Sequence, residues 1–268
     1  MRQPFRLEFR HAGEFLLIGG WKEVSLVDVL EHSSFTLWLA LCNLKCPWCS
    51  NADVARGLTA RVVSVADIVE IVDHAKSFVD VLHVTGGEPT LQLNALKRLF
   101  KSVTEKVGLP VSLSTNGTMP EALSALSPFL YHVAIDIKAP LDEPRLYATA
   151  TGISEQLAQK LVSKIIESVK VSLEVPNIEL RTTLVPDVIN SKDVLKAAVG
   201  LEEVLKNAKG RVAYVVQQFI PYEGVRGPFS RKKATPSREV IRCAEYLASV
   251  LSVEVYYRTL EEGTRKVR

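Results

Sequence analysis

From residue 34 onward, apolar positions along the chain alternate between two spacings. Short runs dense in Val, Ile, Leu and aromatic residues mark strands, and stretches with apolar residues three and four apart mark amphipathic helices. SFTLWLAL (34–41) reads as a strand, and SVADIVEIVDHAK (64–76) as a helix opened by a serine cap. The pairing then repeats. Strand VDVLHVT (79–85) precedes helix LNALKRLFKSVTEKV (93–107), PVSLST (110–115) precedes PEALSALSPFL (120–130), and YHVAIDIK (131–138) precedes SEQLAQKLVSKIIESVK (154–170). IELRTTLVP (178–186) precedes SKDVLKAAVGLEEVLKNA (191–208), RVAYVVQQF (211–219) precedes SREVIRCAEYLASVL (237–251), and VEVYYRTL (253–260) is a last strand. Such alternation predicts an α/β fold with a parallel sheet and helices outside it. Six βα units without a Pro/Gly-rich linker predict one core domain over residues 34–260, an open or closed barrel. Residues 1–33 predict a short N-terminal β extension, with HAGE and IGGWKE as turns.

Composition narrows the class. Hydrophobic residues make up 47% and charged residues 24% of the 268, which is ordinary for a globular protein. The 33 Lys and Arg are nearly balanced by 30 Asp and Glu, so a nucleic-acid footprint is not expected. One basic run stands out, RGPFSRKKATPSR (226–238), expected on a solvated loop or against an anionic partner. No apolar run reaches the ~18 residues of a membrane span, and the N-terminus lacks a signal-peptide pattern. The expectation is a cytoplasmic protein without membrane or nucleic-acid partners.

Unusual residues cluster where strands end, the edge at which βα loops carry chemistry in barrels. GGEP (86–89) follows the second strand, TNGT (115–118) the third, DIK (136–138) the fourth, and RTTLVP (181–186) the fifth. After the first comes LALCNLKCPWCSN, with Cys42, Cys46 and Cys49 spaced C-x3-C-x2-C. A structural zinc site wants a fourth ligand, and Cys243 falls on the apolar face of the last helix. A thioredoxin-like CPWC pair leaves Cys42 unexplained. An iron–sulfur cubane held by three thiolates leaves its fourth iron open for a ligand, which suits three cysteines best.

With Cys42, Cys46, Trp48 and Cys49 in C-x3-C-x-aromatic-C and GGEP one unit later, the chain resembles the radical S-adenosylmethionine (SAM) enzymes. The resemblance spans about residues 34–260 and implies a (β/α)6 partial TIM barrel. It implies a [4Fe-4S] cluster on Cys42, Cys46 and Cys49, with SAM chelating the open iron and cleaved by an electron to a 5′-deoxyadenosyl radical. Gly86 and Gly87 would let the backbone approach the ligand, and Glu88 would accept from the methionine ammonium. Asp136 suits ribose hydroxyls and Lys138 the methionine carboxylate. Thr115, Asn116, Arg181 and Trp48 are further candidate contacts, with Gln218 on the adenine side. The histidines show no ligand spacing, although His83 is placed to point inward.

FRLEF (5–9), the stretch from GGWKEVSLVDVLEH through the cysteines, and ELRTTLVPDVI resemble the glycyl-radical activating enzymes. The likeness is to the anaerobic ribonucleotide reductase and pyruvate formate-lyase activases. That branch implies a glycyl radical enzyme as protein substrate and an electron donor such as flavodoxin or ferredoxin. The chain departs from the branch at three places. Leu41 stands where a glycine is common, Ser50–Ala52 replaces HNP, and DVLEH replaces a D-Y-P-G turn. The alternatives are a radical enzyme for a small molecule, 7-carboxy-7-deazaguanine synthase-like, and, in another class, a zinc-stabilised binding module.

Overall fold

The computed structural model describes residues 13–267; FRLEF and His11 lie outside them. In chain order the elements are β1 (Phe15–Val29), β2 (His32–Leu39), α1 (Ala52–Ala55), β3 (Arg61–Ser64), α2 (Val65–Ala75) and β4 (Val81–Gly86). They continue with α3 (Leu93–Ser102), β5 (Val111–Thr115), α4 (Pro120–Leu126), β6 (Leu130–Asp136), α5 (Pro144–Thr151) and α6 (Glu155–Ser172). The last are β7 (Asn177–Leu184), α7 (Ser191–Val199), α8 (Glu202–Leu205), β8 (Arg211–Gln218), α9 (Ser237–Val250), β9 (Glu254–Thr259) and β10 (Gly263–Lys266).

One ten-stranded sheet runs in the order β10-β9-β8-β7-β6-β5-β4-β2-β1-β3. The seven strands from β2 to β9 pair in parallel, matching six βα units and a closing strand. Antiparallel strands flank them: β1 and β3 beyond β2, and β10 beyond β9. Alternation along each strand sets the layers. Leu82, Val84, Leu113, Val133, Ile135, Ile178, Leu180, Tyr214 and Val216 are buried in the main core with residues of the helices, such as Leu96, Leu123, Ile165 and Leu247. The intervening positions turn to the concave face. There Ala213, Val215 and Tyr256 form a small apolar group with Leu30, and most of the other buried positions are polar. Strands buried on both faces ordinarily read as continuous apolar runs. His83, Ser112, Ser114, His132, Glu179 and Arg181, all buried, break that rule.

The open side of the sheet is bridged at one end. The β1–β2 turn inserts Leu30 among the apolar residues of β8 and β9, and Glu31, at φ +63°, accepts two hydrogen bonds from Arg211 at 2.8 and 3.0 Å. The Arg211 guanidinium and the Tyr256 hydroxyl pull the Glu31 carboxyl down to about 2. DVLEH is therefore a clamp between strands far apart in sequence.

Two expectations need correction. IGGWKE is no turn: β1 runs straight through it, and the register slips between Ile18 and Gly20 where glycine accommodates a bulge. The helix expected over 191–208 is two, α7 and α8, parted at Gly200–Leu201. The expected Ser64 cap forms, accepting from the Asp67 amide, and Ser154 caps α6 in the same way through the Leu157 amide.

Candidate active site

The cysteine loop leaves the end of β2 through Leu41, whose φ of +74° belongs to the left-handed region that favours glycine. Here two loops are stitched together backbone to backbone. The amide of Gly87 donates to the Leu39 carbonyl and that of Glu88 to the Leu41 carbonyl, both at 2.7 Å. A Cβ on Gly86 would lie 2.3 Å from the Leu39 oxygen, and one on Gly87 would lie 1.9 Å from the Leu41 oxygen. The glycines are thus required for close approach to the root of the cysteine loop.

Glu88 is part of the same frame. Its side chain is buried and its carboxylate accepts four hydrogen bonds. Oε1 accepts from the Thr90 amide (3.1 Å), the Thr90 hydroxyl (2.5 Å) and the Thr115 hydroxyl (2.8 Å); Oε2 accepts from the Asn116 amide (2.7 Å). Burial raises its pKa against the pull of these donors. Glu88 therefore ties the GGEP turn to the end of β5. From Asn116 the link continues to the cysteine loop. The Asn116 amide nitrogen donates to Asn43 Oδ1 at 2.8 Å, and the Asn43 nitrogen donates to the Thr118 hydroxyl at 2.7 Å. Thr115 and Asn116 belong to the site as its frame. Asn43, Thr90 and Thr118 were missed, although all three sit inside the quoted motifs or their edges.

The other side of the cysteine loop rests on α5. The Lys45 amide donates to the Thr151 carbonyl (2.9 Å) and the Trp48 indole to the Ala150 carbonyl (3.0 Å). Cys42, Cys46 and Cys49 are free and half-buried. Burial raises the Cys42 thiol and pushes the Cys46 thiol up to about 12, with Lys138 opposing both. Such thiols ionise when a cation takes the proton's place. Cys243 stays apart on α9, its thiol 3.9 Å from the Ser191 carbonyl. Three thiols on one eight-residue loop, with Cys243 far from them, fit a polynuclear cluster with one open metal.

Facing this loop are Lys138 and Asp136. The Lys138 ammonium lies 5.3 Å from the Trp48 ring centroid and 3.3 Å from Asp136 Oδ2. Arg181 Nε donates to Asp136 Oδ1 at 2.9 Å. Burial would lift the Asp136 carboxyl, but the two cations hold it below the carboxylate range. Burial would lower the Lys138 pKa, but Asp136 and the thiols of Cys46 and Cys49 raise it. Both stay charged. Arg181, buried, supports Asp136 from below. Gln218 is displaced from its expected role: its amide donates to the Thr235 carbonyl and accepts from the Leu260 amide, outside the concave face. Its neighbour Gln217 bonds inward-facing Thr183 instead.

Beneath Arg181 runs a polar chain that sequence reasoning missed except for His83. Arg181 donates to Ser114 Oγ (2.8 Å), Ser114 meets His83 Nε2 (3.2 Å), His83 Nδ1 meets Ser112 (2.8 Å), and Ser112 meets His132 Nδ1 (2.7 Å). His132 Nε2 then faces Glu179 Oε2 at 3.5 Å. Burial holds His83 neutral, its pKa down to about 3. The chain locks the orientation of Arg181 and, through it, Asp136.

The family model of the radical SAM superfamily matches residues 39–198, the stretch holding every residue of this frame from the cysteine loop to Arg181. The chain belongs to the radical SAM superfamily. Its cofactors are accordingly a [4Fe-4S] cluster and SAM. A protein of Methanocaldococcus jannaschii, provisionally named a glycyl-radical enzyme activating enzyme, is 31% identical over 257 residues, covering 94% of this chain and 99% of that one. The 7-carboxy-7-deazaguanine synthase of Hyperthermus butylicus is 32% identical over 123 residues, 42% of this chain and 51% of that one. Among solved structures, TYW1 with a lysine-pyruvate adduct bound matches with a TM-score of 0.60 at 16% identity, over 86% of this chain and 77% of that one. That likeness establishes the radical SAM partial barrel. No helix among the described residues is long and apolar enough to cross a membrane.

Proposed function

We propose that this radical SAM enzyme acts on a partner protein, removing a Cα hydrogen from one glycine and leaving the radical there. The observation that carries this reading is the likeness, over nearly the whole of both chains, to the M. jannaschii protein. The sheet supports it: β3 and β10 are its two unpaired edges, and an open side admits a glycine-bearing loop. In this reading Cys42, Cys46 and Cys49 hold the cluster. The Lys138 ammonium receives the methionine carboxylate, Asp136 the ribose hydroxyls, and Trp48 flanks the ligand over Lys138. When bound, cluster and SAM supply the radical chemistry by which a C–H hydrogen is removed. The chain's own work is to hold Asp136 through Arg181, to hold the GGEP turn through Glu88, Thr115 and Asn116, and to keep water out. An electron-transfer protein of the flavodoxin or ferredoxin kind supplies the electron.

The test is anaerobic incubation with dithionite, SAM and a glycyl radical enzyme encoded beside this chain's gene. A glycine-centred EPR doublet on the partner is the expected result. SAM cleaved to 5′-deoxyadenosine with no protein radical counts against the reading. A second reading, a small polar substrate, is favoured by the charged concave face with Glu179, Arg181 and Arg258, and by the partial likeness to the deazaguanine synthases.

A further inference from the structure

Four buried side-chain atoms among the described residues have no hydrogen-bond partner. Two of them, His132 Nε2 and Glu179 Oε2, at least face each other at 3.5 Å. A third, Glu202 Oε2, belongs to a carboxylate whose other oxygen accepts from the Ser252 amide. The fourth is the hydroxyl of Tyr147, a fully buried side chain of α5. A buried tyrosine hydroxyl ordinarily reaches a partner, so an orphaned one asks for an acceptor.

α5 is the helix against which the cysteine loop rests. Its last turn receives the Lys45 amide and the Trp48 indole at the carbonyls of Thr151 and Ala150, and a Cβ on Gly152 would lie 2.2 Å from the Lys45 oxygen. Tyr147 stands four and three residues before those contacts, on the same stripe of the helix. The ionisable groups acting on its hydroxyl are, strongest first, Lys138, the Cys46 thiol, Asp136 and Glu88. The two carboxylates are spent, Asp136 on Arg181 and Lys138, and Glu88 on Thr90, Thr115 and Asn116. The Lys138 ammonium can only donate. Cys46 is what remains. As a thiol its sulfur is a weak acceptor; on iron it becomes a thiolate beside inorganic sulfides, and these are anionic acceptors. Burial raises the Tyr147 pKa above the ordinary tyrosine value, so the hydroxyl keeps its proton and has it to donate.

We infer that Tyr147 donates its hydroxyl hydrogen bond to sulfur at the Cys46 corner of the [4Fe-4S] cluster, and so sets how readily the cluster takes its electron. No covalent bond is made or broken. A hydrogen bond to a cluster sulfur favours the reduced, more negative state. Phenylalanine in place of Tyr147 would fill nearly the same volume and leave that sulfur without the donor. The inference rests on the three-cysteine cluster proposed above and is independent of which hydrogen the enzyme removes.

The test is a redox titration of the reconstituted holoenzyme without SAM, with the reduced cluster followed by EPR. Tyr147→Phe is expected to lower the midpoint potential by the equivalent of about three- to tenfold in the one-electron reduction constant, tenfold being about 59 mV. 3-Fluorotyrosine installed at position 147, a stronger donor of nearly the same shape, is expected to raise it. Tyr214→Phe is the control. Tyr214 is as deeply buried, its hydroxyl meets that of Thr182 at 2.6 Å, and its loss is expected to leave the potential unchanged. Urea unfolding of the apoprotein is expected to be no easier for Tyr147→Phe than for wild type, because no bond within the protein is lost. An unshifted potential in Tyr147→Phe, an equal shift in Tyr214→Phe, or a destabilised Tyr147→Phe apoprotein would each overturn the inference. Weakened SAM affinity with an unshifted potential would assign the hydroxyl to the methionine carboxylate, and would overturn it too. A wild type that shows no [4Fe-4S] signal refutes the cluster assignment and this inference with it, whereas a loaded wild type with an unshifted variant refutes this inference alone.

Discussion

Adding one methyl group at Gly87 tests how the site is locked. In Gly87→Ala the new Cβ would fall 1.9 Å from the Leu41 oxygen and 2.6 Å from its carbon. Carbon–oxygen contacts below 3.0 Å are essentially never tolerated, so the GGEP turn and the root of the cysteine loop must separate by about 1 Å. That displacement breaks the Gly87–Leu39 and Glu88–Leu41 backbone bonds, each 2.7 Å long. Their loss costs about 1 kcal/mol each, and a Glu88 carboxylate pulled from its donors adds about 1–3 kcal/mol. The expected total is about 3–5 kcal/mol, which is a large share of a domain's stability. Urea unfolding followed by circular dichroism reads this directly, and a fall of at least a hundredfold in 5′-deoxyadenosine formation is expected with it. Gly108→Ala is the control. Gly108 has φ +80° but nothing within 4 Å of its would-be Cβ, so it should cost only the about 1–2 kcal/mol of a left-handed alanine. A Gly87→Ala loss no greater than that of Gly108→Ala would refute the locking argument.

Leu41→Gly relieves a left-handed leucine worth about 1–2 kcal/mol, and gives back about half of it in glycine's entropy. The midpoint of urea unfolding should move by the equivalent of less than about 1 kcal/mol, and a loss above about 2 kcal/mol would contradict it. His83 takes no proton in the fold until about pH 3, whereas its unfolded counterpart does so below about 6.5. The unfolded state then binds more protons, so His83 contributes a stability that is full above pH 6.5 and falls with acidification by up to about 1.4 kcal/mol per unit toward pH 3. Unfolding free energies measured from pH 7 to 4.5 should therefore slope less steeply in His83→Asn than in wild type; parallel slopes would refute the assignment of His83 as a neutral imidazole held so by burial. Cys46→Ala should lose the iron and sulfide of the reconstituted protein, measured chemically, and its SAM cleavage with them.

Much of this is legible in the amino-acid sequence. The strand and helix periods locate the parallel strands, and the spacing of Cys42, Cys46 and Cys49 with GGEP one unit later locates the site. What the sequence hides is which groups meet across strands. Alternation says that His83, Ser112, His132 and Glu179 share a face, but only the register of β4, β5, β6 and β7 joins them into one chain. Glu88 is conspicuous in the sequence as a charge beside two glycines, but its burial depends on Thr115 and Asn116, 27 and 28 residues away. The DVLEH turn is a clamp only because Arg211 lies 180 residues downstream.

The central claim is that the hydrogen removed by this enzyme comes from a glycine of a partner protein. It is tested most directly by supplying the partner with its glycines dideuterated at Cα and measuring 5′-deoxyadenosine by mass spectrometry. The account predicts one deuterium in the 5′-deoxyadenosine formed alongside the protein radical. 5′-Deoxyadenosine produced at the same rate with no deuterium would contradict it.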